Sequence, residues 1–360
     1  MRSSPATGVS SMPSPAEHTA WLESLSPWPE EFGLGRMRAL LASLGDPQLA
    51  YPAIHVVGTN GKSTATRTIE ALLLREGLSI GATVSPHVRS WAERITVDGQ
   101  EADLEAALAR VRAEAEAQEA TQFETVCAAS FAEFAARKVD VAVVEAGLGG
   151  RLDATNVLRS RVVLLTNVGL DHTDVLGETR EQIAAEKLAV VQEGTTSVLP
   201  DEEFAHLGGS HFVVGGAREA AAAFLGRHVG RNVEVALPGR LERRGDDELW
   251  DGAHNPDGAR WLLGRLPPGE RVVLASILAD KDADVMLAEL ARAGRCFVAT
   301  SSSHARALPA EELAALARKH FAQVEAIPDP QKALARAREL GPVLVTGSLY
   351  LLADLSRNGA

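Results

Sequence analysis

The chain has 360 residues, 46% of them hydrophobic and 23% charged, with a formal net charge of −12. That length exceeds the roughly 250 to 300 residues at which single cores stop growing, so two domains are expected, with enough apolar material for both. The negative charge argues against a duplex nucleic-acid binder, which needs a positive surface to displace counterions from phosphates.

Residues 1–17 are rich in Ser, Pro and Ala and are expected to form a loose tail, with order beginning near Trp21. They lack the apolar core of a signal peptide, and no stretch approaches the roughly 20 apolar residues that span a bilayer. A cytoplasmic protein with no membrane partner is expected. Cys127 and Cys296 have no CxxC or His partner nearby and read as buried thiols of a reducing compartment.

A short apolar pattern predicts a helix over Arg36–Leu44, and Ala53-Ile54-His55-Val56-Val57 predicts a strand running into Gly58. Thr64–Glu76 carries apolar residues at helical spacing and stops at Gly77. Glu101–Gln118 is expected to be one long Ala/Glu/Arg helix with a solvated face. Val139–Val144 and Val162–Leu165 predict further strands, whose unbroken apolar runs fit a parallel sheet covered on both faces. After Pro238-Gly239 a second rhythm begins. Strands are predicted at 272–275, 296–300 and 343–345, and helices at 285–293 and 310–321. The expected fold is α/β: a larger domain with a mostly parallel sheet over 18–237 and a smaller Rossmann-like α/β domain over 238–360.

Gly58-Thr59-Asn60-Gly61-Lys62-Ser63-Thr64 follows a strand and opens a helix. In that context backbone N–H groups and the helix N-terminus wrap phosphates, the Lys62 ammonium reaches the β/γ-phosphates, and the Ser63 hydroxyl meets Mg²⁺. The strict GxxxxGK[ST] spacing fails, because position 56 is Val. A plain strand-turn-helix corner is the competing reading of these residues alone.

More of the chain carries the same signature: Thr83-Val84-Ser85-Pro86-His87, the run Glu145-Ala146-Gly147-Leu148-Gly149-Gly150-Arg151-Leu152-Asp153-Ala154-Thr155-Asn156, then Gly169-Leu170-Asp171-His172 and Glu186-Lys187. Pro238-Gly239-Arg240, Asp251-Gly252-Ala253-His254-Asn255-Pro256, Asp280-Lys281-Asp282 and Thr346-Gly347-Ser348 follow. In this order the chain resembles the folylpolyglutamate synthase / dihydrofolate synthase family of the Mur ligase superfamily, from about Phe32 to Leu355.

The resemblance implies an ATP-dependent carbon–nitrogen ligase, its larger domain a P-loop-type ATPase domain, that acts on a pterin or folate carboxylate and L-glutamate, as a monomer. It implies that Ser63, Ser85, Glu145 and His172 bind Mg²⁺, with room for two ions and a monovalent cation. Lys187 is implied to carry a CO₂-derived carbamate that helps hold the second ion. Arg240, Asp251 and His254 are implied to reach the nucleotide from the second domain. Phe123-Glu124-Thr125 and Leu152-Asp153-Ala154 are implied to line the pterin site, together with Glu31-Phe32-Gly33-Leu34. Independently of the resemblance, Glu145 ends a buried strand in the crevice where open α/β sheets bind ligands.

Two departures bear on substrate. Ser63 follows Lys62 directly, as in cell-wall Mur ligases, where the family usually has an additional Gly. The stretch from Lys187 to Pro238 is short, and Arg218 stands where the family has an Asn beside adenine. A Mur ligase acting on a cell-wall nucleotide precursor, or a non-catalytic nucleotide-binding homologue, are the alternatives.

Overall fold

The structure is a computed structural model that describes residues 16–230 and 233–357. The expected tail lies outside the described residues up to position 15, and the first helix, Glu17–Ser24, starts ahead of Trp21.

Eight strands form the larger sheet: β1 (Ala53–Val57), β2 (Ile80–Thr83), β3 (Ile95–Val97), β4 (Gln100–Glu101), β5 (Val141–Glu145), β6 (Ser160–Leu165), β7 (Thr196–Leu199) and β8 (Phe212–Val214). Their order is β4-β3-β2-β5-β1-β6-β7-β8, parallel throughout except for β3 and β4. The central strand β1 is flanked by β5 and β6, so Val56 lies beside Glu145 and Val57 beside Leu165. Three chain segments therefore leave the sheet together at its carboxyl edge.

Each face of that sheet is covered, as unbroken apolar strands require. On one side Ile54, Val56, Val141 and Val143 pack with Ile69, Leu72 and Leu73 of helix Lys62–Arg75. On the other, Ala142 and Val144 pack with Phe131 and Phe134 of helix Gln122–Arg137. Thr121 and Glu124 close a capping box at the start of this second helix, in which each satisfies a backbone N–H that would otherwise be orphaned.

The smaller sheet contains β9 (Glu242–Arg243), β10 (Glu248–Trp250), β11 (Val272–Ala275), β12 (Cys296–Ala299), β13 (Gln323–Ala326) and β14 (Val343–Thr346). Its order is β13-β12-β11-β14-β10-β9, and only β9 runs antiparallel. Helices Ala283–Leu290 and Ala310–Ala317 cover one face and Pro330–Leu340 and Leu349–Arg357 the other.

Two expectations need correction. The long helix over 101–118 is two short ones, Leu104–Ala109 and Arg112–Ala117, because the chain bends at Val111 to bury that side chain completely. Composition gives helix propensity but not the position at which a β-branched residue must turn into the core. Of the cysteines only Cys127 is buried. Cys296 is partly exposed at the start of β12, with its thiol against Gln323.

Phe134 is fully buried and meets Tyr51 in an edge-on ring contact with centroids 6.1 Å apart. Phe134→Ala is expected to lower stability by about 3–5 kcal/mol. Urea unfolding followed by circular dichroism checks this through a shifted midpoint at unchanged slope.

Candidate nucleotide and metal site

The turn after β1 is built by contact with the turn after β6. Gly58 sits at φ +148°, and a Cβ placed there would stand 1.9 Å from the Thr166 hydroxyl, so no side chain fits. The Asn60 N–H donates to the Asn167 side-chain oxygen at 2.9 Å, and the Thr166 hydroxyl donates to the Asn60 carbonyl at 2.7 Å. Gly61 then enters the left-handed region and helix Lys62–Arg75 begins, two residues ahead of the expected Thr64. Thr59, Ser63 and Thr64 complete a loop whose N–H groups gather at a helix start.

Two lysines converge on this loop. The Lys62 ammonium donates to the Gly58 carbonyl at 3.1 Å and to the Thr59 carbonyl at 3.3 Å. Lys187, from helix Arg180–Leu188, donates to the same Gly58 carbonyl at 3.0 Å. Burial pushes the Lys187 amine down to about 7, with the Lys62 charge adding to the effect. The Lys62 ammonium and the N–H groups at the helix start therefore supply the positive potential that a polyanionic phosphate chain requires.

Glu145 lies opposite at the end of β5. One carboxylate oxygen accepts the Ser63 hydroxyl at 3.1 Å and the other accepts the Ser85 N–H at 3.0 Å. Burial raises the Glu145 pKa, opposed chiefly by Lys62 and by these two donors. A buried carboxylate has lone pairs left after two hydrogen bonds, and with the Ser63 hydroxyl beside it the site offers hard oxygens of the kind that Mg²⁺ takes. Among the described residues no three His, Cys, Asp or Glu side chains form a metal cage by themselves. A Mg²⁺ site takes few protein ligands and completes its shell with phosphate oxygens and water.

His172 occupies the left-handed region at φ 51°, uncommon for a residue with a side chain. Desolvation lowers its pKa, and the charges acting on it include Asp171 and Lys187. Its neighbour Asp171 anchors a cluster that the sequence motifs contained without marking as functional. One Asp171 oxygen pairs with the Lys281 ammonium at 2.6 Å, and the other accepts the Asn255 side-chain N–H at 3.0 Å. Asn255 also exchanges two hydrogen bonds with Asn60 of the loop, at 3.0 and 3.1 Å. Burial works to raise the Asp171 pKa, but Lys281, and then His172 and His254, hold it well below the usual carboxylate range. Both partners of Asp171 come from the second half of the chain.

That half contributes further. Arg240 is among the cations whose charge acts on both Glu145 and Asp251, and its guanidinium donates to the Gly239 carbonyl at 3.1 Å. Asp251 faces inward and accepts the N–H groups of Leu241 and Ala253, fixing the turn that carries Arg240. The His254 Nδ1 lies 2.8 Å from the Gly252 carbonyl, which only accepts, so Nδ1 carries the hydrogen. The opposite ring nitrogen faces Asp171 at 3.7 Å.

The residues expected at the pterin site separate. Phe123 packs against Gly147, just behind Glu145. Glu124 is spent on the capping box and on Arg36, 3.7 Å away, and Thr125 is fully buried, its hydroxyl without a partner among the described residues. Thr121-x-x-Glu124 is a capping signature that was present in the sequence. Leu152 is 45% exposed, whereas Asp153 and Ala154 are buried. Trp28 and Phe32 are exposed, with ring centroids 6.4 Å apart. Beside Trp28, a cleft of about 890 Å³ opens against Arg36, Glu119 and Thr121, at the start of the helix that carries Phe123. Arg218 opens helix Ala217–Leu225 and is paired with Glu219 at 2.8 Å.

Residues 56–207 match the Mur ligase middle domain, and residues 239–349 match the Mur ligase glutamate ligase domain. The dihydrofolate synthase/folylpolyglutamate synthase of Mycobacterium tuberculosis is 32% identical over 412 aligned residues, covering 88% of this chain and 85% of the relative. That alignment is longer than the chain itself, so the relative has segments without a counterpart here. The crystal structure of a Mycobacterium tuberculosis folylpolyglutamate synthase complexed with ADP is similar at a TM-score of 0.85 and 28% identity, over 94% of this chain and 96% of that one. A bifunctional folylpolyglutamate synthase/dihydrofolate synthase with Mn, AMPPNP and L-glutamate bound gives a TM-score of 0.81 at 28% identity, over 94% and 96% of the two chains.

The Asp171 cluster generates a test of how the halves are joined. Lys281→Ala removes the cation and leaves the carboxylate buried beside Asn255, an arrangement that costs about 3–5 kcal/mol in a closed interior. The two halves are expected to separate in part, seen as an increased radius of gyration in small-angle scattering with unchanged far-UV circular dichroism.

Proposed function

The chain belongs to the dihydrofolate synthase / folylpolyglutamate synthase family of Mur ligases, and on that premise we propose that it joins L-glutamate to dihydropteroate, to (tetrahydro)folate or to both. It is an ATP-dependent acid–amino-acid ligase with an α/β fold of two sheets. We divide it into an ATP-binding domain over 18–237 and a ligase domain over 238–360. The observation that supports the reading is that the glycine-rich loop bonds on one side to a buried carboxylate, Glu145 through Ser63, and on the other to Asn255 of the second half through Asn60.

In the proposed reaction the substrate carboxylate attacks the γ-phosphorus of ATP, giving an acyl phosphate and ADP. The glutamate amine then adds to the acyl carbon, and collapse of the tetrahedral intermediate releases phosphate and leaves an amide. Lys62 stabilises charge on the transferring oxygens, and the loop N–H groups hold the remaining phosphates in line. Mg²⁺, when bound, neutralises phosphoryl charge, and Glu145, Ser63, Ser85 and His172 are the residues that would hold it. Arg240, Asp251 and His254 bring the second domain onto the nucleotide. Phe123, with Leu152, Asp153 and Ala154 on the facing loop, would border the ring end of the acyl substrate. Glu124 and Thr125 would support that wall from inside the helix.

Lys187 would act as a carbamate. An amine brought down to about 7 is substantially neutral at physiological pH, and the neutral amine attacks CO₂, releasing one proton. The product anion removes a cation from beside the metal site and adds a hard oxygen donor. We place the enzyme in the cytoplasm as a monomer working on small molecules. Among the described residues no helix is long and apolar enough to cross a membrane, and the net charge of −12 disfavours nucleic acid as a partner.

Mass spectrometry after incubation with ATP, Mg²⁺, glutamate and either dihydropteroate or tetrahydrofolate is expected to show a glutamyl adduct and stoichiometric ADP. Lys62→Ala is expected to abolish both while leaving the circular dichroism spectrum intact. A UDP-linked precursor serving as substrate in place of the pterins would redirect the assignment to a cell-wall ligase. For Lys187, both the Ala and the Arg variants are expected to lose most activity, because arginine keeps the charge and forms no carbamate. Activity should fall as pH drops below about 7, where the amine becomes protonated. A fully active Lys187→Arg enzyme would remove the carbamate from the scheme.

A further inference from the structure

His55 stands in the middle of β1, where Ala53, Ile54, Val56 and Val57 are all buried, and it is buried with them. A polar side chain persists in a strand covered on both faces only if its hydrogen bond is made. The partner is the hydroxyl of Thr155, 2.8 Å from Nε2. Thr155 is fully buried as well, and its hydroxyl lies against Asp153 Oδ1.

The proton positions along this chain follow from counting donors. Asp153 Oδ1 accepts the Thr155 backbone N–H at 3.0 Å, and Oδ2 accepts the Leu148 N–H at 2.7 Å. Burial raises the Asp153 pKa, while the Thr155 hydroxyl and the backbone N–H groups of Leu148, Thr155 and Gly147 favour the ionised form; as a carboxylate the group only accepts, so the Thr155 hydroxyl donates to it. A hydroxyl has one hydrogen, so His55 Nε2 donates to Thr155. Burial lowers the His55 pKa to about 4, which keeps the ring neutral and the direction of the chain fixed at physiological pH.

The chain ends on the turn that follows Glu145. A Cβ at Gly147 would stand 2.6 Å from the Phe123 ring and 3.1 Å from Asp153 Oδ2, so that turn is held between the aromatic ring and the clamped carboxylate. We infer that His55 is a positioning residue: through Thr155 and Asp153 it fixes the Gly147–Leu148 turn against Phe123 and so preorganises the wall of the acyl-substrate site. The inference deepens the ligase reading and rests on it for the identity of that substrate. The phosphate loop is not part of the chain of hydrogen bonds, so the effect falls on the acyl substrate and spares ATP.

His55→Leu removes the donor at similar volume, and His55→Gln restores an N–H near the Nε2 position. Loss of one buried hydrogen bond predicts a rise in KM for the pterin carboxylate of roughly tenfold in His55→Leu. The KM for ATP should change little, and His55→Gln should recover most of the loss. Thr155→Val should reproduce the rise, and the double variant should add nothing, because both changes break the same chain. Two readouts need no turnover. The ¹⁵N spectrum of the wild-type protein should show His55 as the Nε2–H tautomer, and hydrogen exchange at Leu148 should accelerate in His55→Leu. If His55→Leu does not fold, Thr155→Val carries the same KM and exchange measurements. A Nδ1–H tautomer, unchanged exchange at Leu148, or equal losses in both KM values would overturn the proposal. If the wild-type protein makes no glutamyl product, the ligase reading fails by itself, and the tautomer and exchange still decide the role of His55.

Discussion

The carboxylate of Asp171 binds the ammonium of Lys281 and the amide of Asn255 at once, and both come from the far half of the chain. A buried acid is tolerated only when its charge is answered by close partners. Here those partners are 84 and 110 residues away in sequence, so satisfying the charge brings the two sheets together. Asn255 then continues the contact to Asn60 of the phosphate loop. The nucleotide loop is therefore completed by the second half.

Around that contact the first half gathers charged groups of both signs. Lys62 and Lys187 share the carbonyl of Gly58, while Glu145 faces them with its charge desolvated. Such an arrangement is costly without a ligand, and its cost is the reason that it suits one. A phosphate chain answers Lys62, and a hard cation answers the carboxylate. The same physics acts in the wall behind it, where His55, Thr155 and Asp153 satisfy one another in series and end on backbone.

Local chemistry makes much of this legible before any coordinates. A buried parallel strand must be apolar on both faces, which is why β1, β5, β6 and β11 could be located from their residues. A glycine-rich turn between a strand and a helix, with Lys62 at the helix start, is a local pattern suited to an anion, so it could be singled out from residues a few positions apart. Capping pairs such as Thr121 with Glu124 are also local, and they reassign Glu124 from ligand contact to helix termination. The break at Val111 was not legible, because a helix-favouring composition does not state where the core requires the chain to bend.

The sequence by itself determined the two α/β halves, the glycine-rich turn between a strand and a helix, the Glu145 strand end and the family resemblance, because each depends on periodicity or on residues a few positions apart. Only the tertiary structure decided that Asp171, Asn255 and Lys281 form one cluster, that Lys187 is desolvated against Gly58, and that His55 is linked through Thr155 and Asp153 to the turn at Leu148. Those outcomes depend on which distant side chains share a buried volume. Burial is what turns an ordinary lysine, histidine or aspartate into a group with a fixed proton and a fixed partner.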